Sequence, residues 1–367
     1  MSAGLPDASP LESTPGVPLG DRPLKVVMVG GGFVTPYHAK GWHALPGVTL
    51  AALQSRTRSK AEETARRNGI PTVYDDFDTM LEGESPDIVD ICTPPEAHPA
   101  QVAAAAARGI HIICQKPVAT TLEDAKAMAA TAARHRVRLM VHENFRFRVW
   151  YREIKRLLAE GLIGRPIYFH STLRQGGTVT TAAHPDRPWT IARQPFFATM
   201  TPLIILESII HQLDVARCML GEADSLYAQA RRISPHVRGE DMASLMLRFG
   251  DAIAVVERSY ASRGHPTPPA TSESVVIEGE DGALFLSRDG DIRVEVDRPG
   301  LRRTIVPGYD KTDAYARSYS ETIAHFAACL RSGAAFETDI ADNLKTFALT
   351  LAAYRSLDTG QAVQPTL

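Results

Sequence analysis

Residues 24–35, LKVVMVGGGFVT, decide how the chain is read. Leu24–Val29 is an unbroken apolar run of strand length; Gly30, Gly31 and Gly32 follow at once, and FVTPYHAKGWHAL (33–45) begins a helix. A strand apolar on both faces is one buried between two layers, and glycines between it and a helix make a tight βα turn. Gly30-Gly31-Gly32-Phe33-Val34-Thr35 stands in the place of G-x-G-x-x-G. Gly30 permits the turn, Gly32 lets the backbone approach a pyrophosphate at the helix N-terminus, and Phe33 and Val34 line the same loop. Thr35 occupies the third position, so close packing there must accommodate a side chain. The competing reading is a glycine turn of some other α/β fold.

The alternation repeats downstream. VTLAALQ (48–54), DIVDICT (87–93), HIIC (111–114) and RLMV (138–141) read as strands. SKAEETARRNG, HPAQVAAAAARG and LEDAKAMAATAARH read as the helices between them. Strands alternating with helices of this length specify parallel βαβ units, hence an N-terminal Rossmann doubly wound parallel sheet over residues 24–145. From residue 146 the character changes. PIYFHSTLRQ, SLYAQARRI, ASLMLRFG, IAVVERSYA, SVVIEGE, GALFLSR and IRVEVD are strand-like, with short turns such as Gly250-Asp251, Asp281-Gly282 and Asp289-Gly290-Asp291. Such turns join antiparallel neighbours, so residues 146–367 are expected to form a C-terminal α+β domain on a large, mostly antiparallel open sheet. An apolar helix over 203–220 and a C-terminal pair at about 314–332 and 339–357 accompany it.

Composition sets limits. The chain has 367 residues, 44% hydrophobic and 22% charged, which suits about two globular domains. Lysine plus arginine (40) nearly balances aspartate plus glutamate (42), so no basic field exists to attract nucleic acid or an anionic membrane. Cys92, Cys114, Cys218 and Cys329 are scattered, with neither zinc-finger spacing nor a disulfide framework, and none of the 12 histidines falls into a metal-ligand spacing. No apolar run reaches membrane-spanning length. Residues 1–23, with five prolines and no lysine, lack the basic start and apolar core of a secretory signal; they are expected to be a flexible or extended arm of a cytoplasmic protein.

Cofactor choice is read at the end of the second strand, where NAD-binding folds place an acid for the adenosine ribose. No acid lies between Val48 and Ala61; Ser55, Arg56, Arg58 and Lys60 form a cationic cluster instead. That pattern predicts NADP, with NAD as the alternative. Two further segments, Thr93-Pro94-Pro95-Glu96-Ala97-His98 and Gln115-Lys116-Pro117, follow strands at their carboxyl ends, the edge where open α/β sheets bind ligands. Thr93, Pro94, His98, Gln115 and Lys116 are therefore expected beside the cofactor.

At these motifs the chain resembles the Gfo/Idh/MocA family, named for glucose-fructose oxidoreductase, inositol dehydrogenase and the rhizopine-catabolism protein. The resemblance spans nearly everything after residue 23. It rests on GGGFVTPYH, on TPPEAH, on CQKP in the place of EKP, on NFRF after the sixth strand, and on E-x-x-x-H-x-x-D at 207–214 where the family has D-x-x-x-H-x-x-D. ICQKP and VHENFRF also look like a sugar dehydrogenase branch of the family. The resemblance implies an oxidoreductase of sugars or polyols, sheet-to-sheet pairing into a homodimer or homotetramer, and a catalytic lysine and histidine.

Oxidising a secondary alcohol requires a cationic donor and a base at one oxygen. Lys116 suits the first role, since an ammonium stabilises developing alkoxide. His211 suits the second, with Glu207 and Asp214 on its helical face to orient the ring. The bland alternatives are a surface lysine in a Lys-Pro turn and a core histidine tied to carboxylates. Asn144, Arg146 and Arg174 are candidate substrate contacts, as are Asp214, Trp189 and Arg193. Gln115 keeps a carbonyl for the nicotinamide ribose but removes a negative charge beside Lys116. The leading expectation is an NADP-dependent dehydrogenase or reductase of a neutral carbohydrate or polyol. The alternatives are a glycosidase or lyase that retains its nicotinamide, and a non-catalytic NADP-binding regulator.

Overall fold

A computed structural model of the chain describes residues 16–264, 273–297, 302–305 and 313–367. The first fifteen residues of the expected arm lie outside them. Two compact units are present: one runs to Asn144 and includes Ala316–Lys345, the other comprises Phe145–Tyr315 and Thr346–Leu367.

The first unit alternates β1 (Leu24–Val29), α1 (Thr35–His43), β2 (Val48–Gln54), α2 (Arg58–Arg67), β3 (Thr72–Tyr74), α3 (Phe77–Glu84), β4 (Ile88–Ile91), α4 (His98–Ala107), β5 (His111–Gln115), α5 (Leu122–Arg134) and β6 (Leu139–His142). Every pairing is parallel, in the order β3-β2-β1-β4-β5-β6. The order reverses between β1 and β4, which makes their carboxyl ends the ligand crevice of a doubly wound sheet. Side-chain caps start the helices where the sequence offers them: Asp76 accepts from the Thr79 N–H at 2.8 Å and Thr121 from the Asp124 N–H at 3.1 Å. The alternation as read skips β3 and α3, because a three-residue edge strand of half-buried side chains and an eight-residue helix carry too little periodicity.

Two expectations are corrected here. Residues 316–345, expected with the second domain, belong to the first unit: Ile323, Phe326, Leu330 and Phe336 share its core with Val26, Met28, Trp42 and Ile113. The stretch 16–23 is not a free arm either. The Leu19 and Gly20 N–H groups donate to the Leu330 and Arg331 carbonyls at 3.0 and 3.1 Å, and Leu19 packs on the same core.

The second unit contains α6 (Val149–Ala159), β7 (Pro166–Arg174), α7 (Trp189–Arg193), α8 (Ile210–Leu220), β8 (Ser225–Arg231), β9 (Met242–Phe249), β10 (Ala252–Ser259), β11 (Glu273–Gly279), β12 (Gly282–Leu286), β13 (Ile292–Val296) and β14 (Arg302–Ile305). Helices α9 (Ala314–Ser332) and α10 (Ile340–Thr359) complete the chain. The eight strands lie in the order β14-β13-β12-β11-β7-β10-β9-β8, antiparallel except for β10 beside β7. Phe169, Leu245, Ala254, Val256 and Ile277 turn one face of this sheet onto Ile209, Leu213 and Leu349. The other face carries Tyr227, Met246 and Ile253, exposed by 39, 58 and 47%. No helix among the described residues is long and apolar enough to cross a membrane.

Candidate active site

At the end of β1 the glycines separate by cause. Gly30 sits at φ +104°, and a Cβ there would stand 2.5 Å from the Cys92 carbonyl oxygen, so the chain itself requires glycine. Gly32 is exposed, and a Cβ there would meet nothing of the protein within 4 Å. Nothing in the chain asks for glycine at 32, and the open space beside it fits a dinucleotide brought close to the backbone. Thr35 is absorbed because its hydroxyl donates to the Gly30 carbonyl at 2.9 Å. No side chain caps the start of α1. Phe33 and Val34 are half-buried in the loop, Phe33 edge-on to Tyr37 at 5.6 Å.

Beyond β2, Ser55 is half-buried, its hydroxyl 3.5 Å from where a Gly31 Cβ would stand, while Arg56 and Lys60 are exposed. Arg58 turns instead to Glu62 at 2.7 Å and Asp75 at 2.8 Å. The cationic cluster is thus weaker than its sequence suggests, because Asp75 comes from the end of the neighbouring strand.

Thr93 donates to Gln101 at 2.6 Å and Pro94 is exposed. His98, expected against the cofactor, is fully buried with its ring nitrogens at 3.0 and 2.8 Å from the carbonyls of Val118 and Thr93. It ties the end of β4 to the turn after Lys116, and burial lowers its pKa below the usual imidazole range. Gln115, expected to offer its carbonyl to the ribose, is also buried. Its Oε1 accepts from the Lys116 N–H at 3.2 Å and its Nε2 reaches His38 at 2.8 Å and His142 at 3.3 Å. Lys116 itself is half-buried at the end of β5, before a cis peptide bond to Pro117.

His38, Asp90 and Cys92 bring three potential metal-ligand atoms within 4.8 Å of one another. Hydrogen bonds account for the group: the Asp90 carboxylate takes His38 Nδ1 at 2.8 Å, the Trp42 Nε1–H at 2.6 Å and the Cys92 thiol at 3.4 Å. Burial, with Asp90 adding to it, pushes that thiol well above its usual pKa and away from the thiolate a metal needs. Asn144, expected as a substrate contact, is buried and donates to Ser318 at 2.7 Å in the same unit.

In the second unit, Ile205–Ile209 forms a π-helical turn that runs into α8, with the Ile210 N–H bonded to the Ile205 carbonyl. The wider turn changes the phase of Glu207 relative to His211, so the four-residue spacing does not act as an α-helical step. Glu207 is half-buried; with burial, its charge holds the Tyr260 hydroxyl up to about 12. His211 is 7% exposed and lies flat on Phe145, centroids 3.9 Å apart and planes at 5°. The Arg148 guanidinium sits 3.4 Å from the Phe145 centroid and bonds to the buried carboxylate of Glu273 at 3.1 Å. Two groups that close to one ring cannot share a face, so phenyl lies between guanidinium and imidazole.

Arg146 and Asp214, expected to touch substrate, are given to each other in a buried pair at 2.5 and 2.8 Å, with Thr346 donating to Asp214 at 2.8 Å. Arg174 projects from the open face of the sheet and pairs with Glu257 at 3.2 Å. Arg193 stacks on Trp189 at 4.8 Å. NFRF is legible as a motif, but the roles of Phe145 and Arg148 are not: a stack on residue 211 leaves no local signal.

A parallel sheet with a glycine turn at its switch point, a strand-end lysine, and a following antiparallel α+β unit define a two-unit dinucleotide-binding oxidoreductase. The model of the oxidoreductase family with NAD-binding Rossmann fold matches residues 24–143, and that of the GFO/IDH/MocA C-terminal domain matches 151–285. The chain belongs to the Gfo/Idh/MocA family and is an NAD(P)-dependent oxidoreductase acting on CH–OH groups. It is 34% identical over 352 residues to a D-apiose dehydrogenase of Paraburkholderia graminis, covering 93% of this chain and 89% of that one. It is 27% identical to a scyllo-inositol 2-dehydrogenase (NAD(+)) of Bacillus subtilis, covering 94 and 97%. An oxidoreductase from Agrobacterium radiobacter, solved with NAD+, L-tartaric acid and magnesium, superposes with a TM-score of 0.82 at 32% identity, covering 93 and 98%.

Proposed function

We propose that the protein is an NADP-dependent dehydrogenase or reductase that moves a hydride between nicotinamide and a carbohydrate, polyol or related hydroxy or keto compound. The observation that carries this is Lys116, held at the carboxyl end of β5 by the side chain before it. Nicotinamide, when bound, supplies the hydride acceptor. The Lys116 ammonium stabilises the oxygen as its proton leaves, and His211, held flat by Phe145, takes that proton. Glu207 lies in the π-helical turn that leads into α8, four residues before His211. The dehydrogenases of sugars and inositols among the relatives support the substrate class, and the near balance of charges favours a neutral substrate. Cys92, Cys114 and Cys329 are buried and in no disulfide, which supports a reducing compartment and the cytoplasm.

The test is a screen of sugars and polyols with each cofactor, followed by Lys116→Met and His211→Ala. Each variant is expected to lose about 10² to 10⁴-fold in kcat while still binding cofactor. Near-normal turnover in both sinks the assignment. Substrate consumption without net change in nicotinamide absorbance supports retained-cofactor chemistry instead.

A further inference from the structure

Four residues of the first unit form one continuous run of hydrogen bonds, and chemistry fixes its direction. The Lys116 backbone N–H can only donate, so the group it meets at 3.2 Å is the Gln115 carbonyl oxygen. The amide nitrogen of Gln115 therefore faces His38 Nε2 at 2.8 Å, and it too can only donate. His38 Nε2 accepts, which leaves the imidazole proton on Nδ1, facing the Asp90 carboxylate at 2.8 Å. The second amide hydrogen of Gln115 points to His142 Nδ1 at 3.3 Å, and the Trp42 indole N–H completes Asp90 at 2.6 Å. His38, Trp42 and Asp90 are fully buried and Gln115 nearly so. Along the run from Lys116 through Gln115 to His38, each donor points toward the Asp90 carboxylate.

We propose that Asp90, His38 and Gln115 are positioning residues for Lys116: a one-way relay that anchors the end of β5 and puts its negative charge at position 90, leaving position 115 neutral. This rests on Lys116 as the cationic donor argued above. In a buried relay, reversing one group leaves donor facing donor or acceptor facing acceptor, at the cost of an unsatisfied polar atom. Asp90→Asn offers Trp42 and His38 an amide in place of a carboxylate. Gln115→Glu puts carboxylates on both imidazole nitrogens. Together the two substitutions reverse the relay and satisfy it again. Glu at 115 then accepts from His38 Nε2–H and Lys116 N–H. The Asn amide at 90 donates to His38 Nδ1, and its oxygen accepts from Trp42.

The experiment measures kcat and the cofactor dissociation constant, by nicotinamide fluorescence, for wild type, Asp90→Asn, Gln115→Glu and the double variant. Each single change is expected to lower kcat roughly 10- to 100-fold, the scale of one unsatisfied buried group, with cofactor binding retained. The double variant is expected to recover most of that loss, the non-additivity of two groups in one network, and thermal midpoints taken beside kcat separate lost positioning, where kcat falls in a protein that stays folded, from lost stability. A double variant no better than the worse single one overturns the relay. Gln115→Met leaves the Asp90 cluster intact and guards against misfolding; it is expected to lower kcat on the same scale, and full activity overturns the proposal. Lys116→Met separates the two claims. If it is inactive while Gln115→Met is normal, the relay falls alone; if it is active, the functional reading falls.

Discussion

At the end of β2, Ser55 and Arg56 are expected to carry the choice of cofactor. A 2′-phosphate bears about −1.5 to −2 charge near neutrality and needs donors where NAD folds keep an acid. Ser55 offers a hydroxyl and Arg56 a planar cation, at roughly 10- to 150-fold in affinity per charged hydrogen bond. Arg58 adds little, its charge being answered by Glu62 and Asp75. NADP(H) is therefore expected to bind more tightly, less so as salt rises, and Ser55→Asp with Arg56→Ala to shift the preference to NAD. Titrating both cofactors into both proteins decides it; tighter NAD binding by wild type aligns the chain with its NAD+-bound relative. Two other residues govern acid stability. Burial and Arg138 push His111 down to about 4 from 6.5, so as pH falls from 6.5 the unfolded chain takes that proton first and about 3 kcal/mol is lost by pH 4. Burial raises Asp339 from 3.8 to about 6, so the folded state takes its proton first and about 3 kcal/mol is gained over nearly the same interval. The two oppose each other. His111→Gln is expected to leave a protein more stable at pH 5 than at pH 7, read by urea midpoints; an unchanged pH profile refutes the pairing.

The start of the helix that carries His211 depends on residues far from it in sequence. Glu240 accepts from the Leu203 N–H at 3.1 Å and the Ile205 N–H at 3.3 Å. Tyr354 donates to Glu240 at 2.8 Å and accepts from the Leu206 N–H at 2.9 Å. These are the orphan donors of a helix start, answered from β9's approach and from α10. Glu240→Ala is expected to cost about 1–3 kcal/mol and to lower kcat by loosening the turn that delivers His211; Tyr354→Phe costs less. Thermal midpoints beside turnover numbers check this, and a Glu240→Ala protein unchanged in both refutes it. The same network shows where sequence reading ends. An apolar helix over 203–220 is legible because nearly every residue in it is hydrophobic. Its π-helical first turn is not, since the groups that stabilise it sit at 240 and 354. Likewise Lys116 and His211 are legible as residue types in place, whereas His38 and Asp90 look like ordinary helix and strand positions until the sheet brings them together. Arg146 and Asp214 stand in separate motifs, and nothing in either shows that the two are paired with each other.

At the scale of the whole molecule, the open face of the eight-stranded sheet exposes Tyr227, Met246 and Ile253. Tyr227, Met246, Val255, His170, Val276 and Phe285 stand opposite one another strand by strand, a row across the sheet that is apolar except at His170, which pairs with Glu257. Soluble monomers rarely leave such a row bare, so a homodimer or homotetramer paired through this face is expected. Light scattering at micromolar concentration tests it: a wild-type monomer refutes the pairing, and Met246→Glu, which repeats its charge across a two-fold axis, is expected to weaken the assembly. The return of residues 316–345 to the first unit has a different consequence, for the order of events during synthesis. The ribosome completes all six parallel strands by His142, yet Ile323, Phe326, Leu330 and Phe336, which close the core over Val26, Met28 and Trp42, arrive some 180 residues later. For that interval the nascent sheet holds uncovered apolar surface, the condition in which chaperones bind and chains aggregate. Contacts spanning most of the chain also close slowly, so the dinucleotide-binding half, though first to be made, is among the last parts to become native.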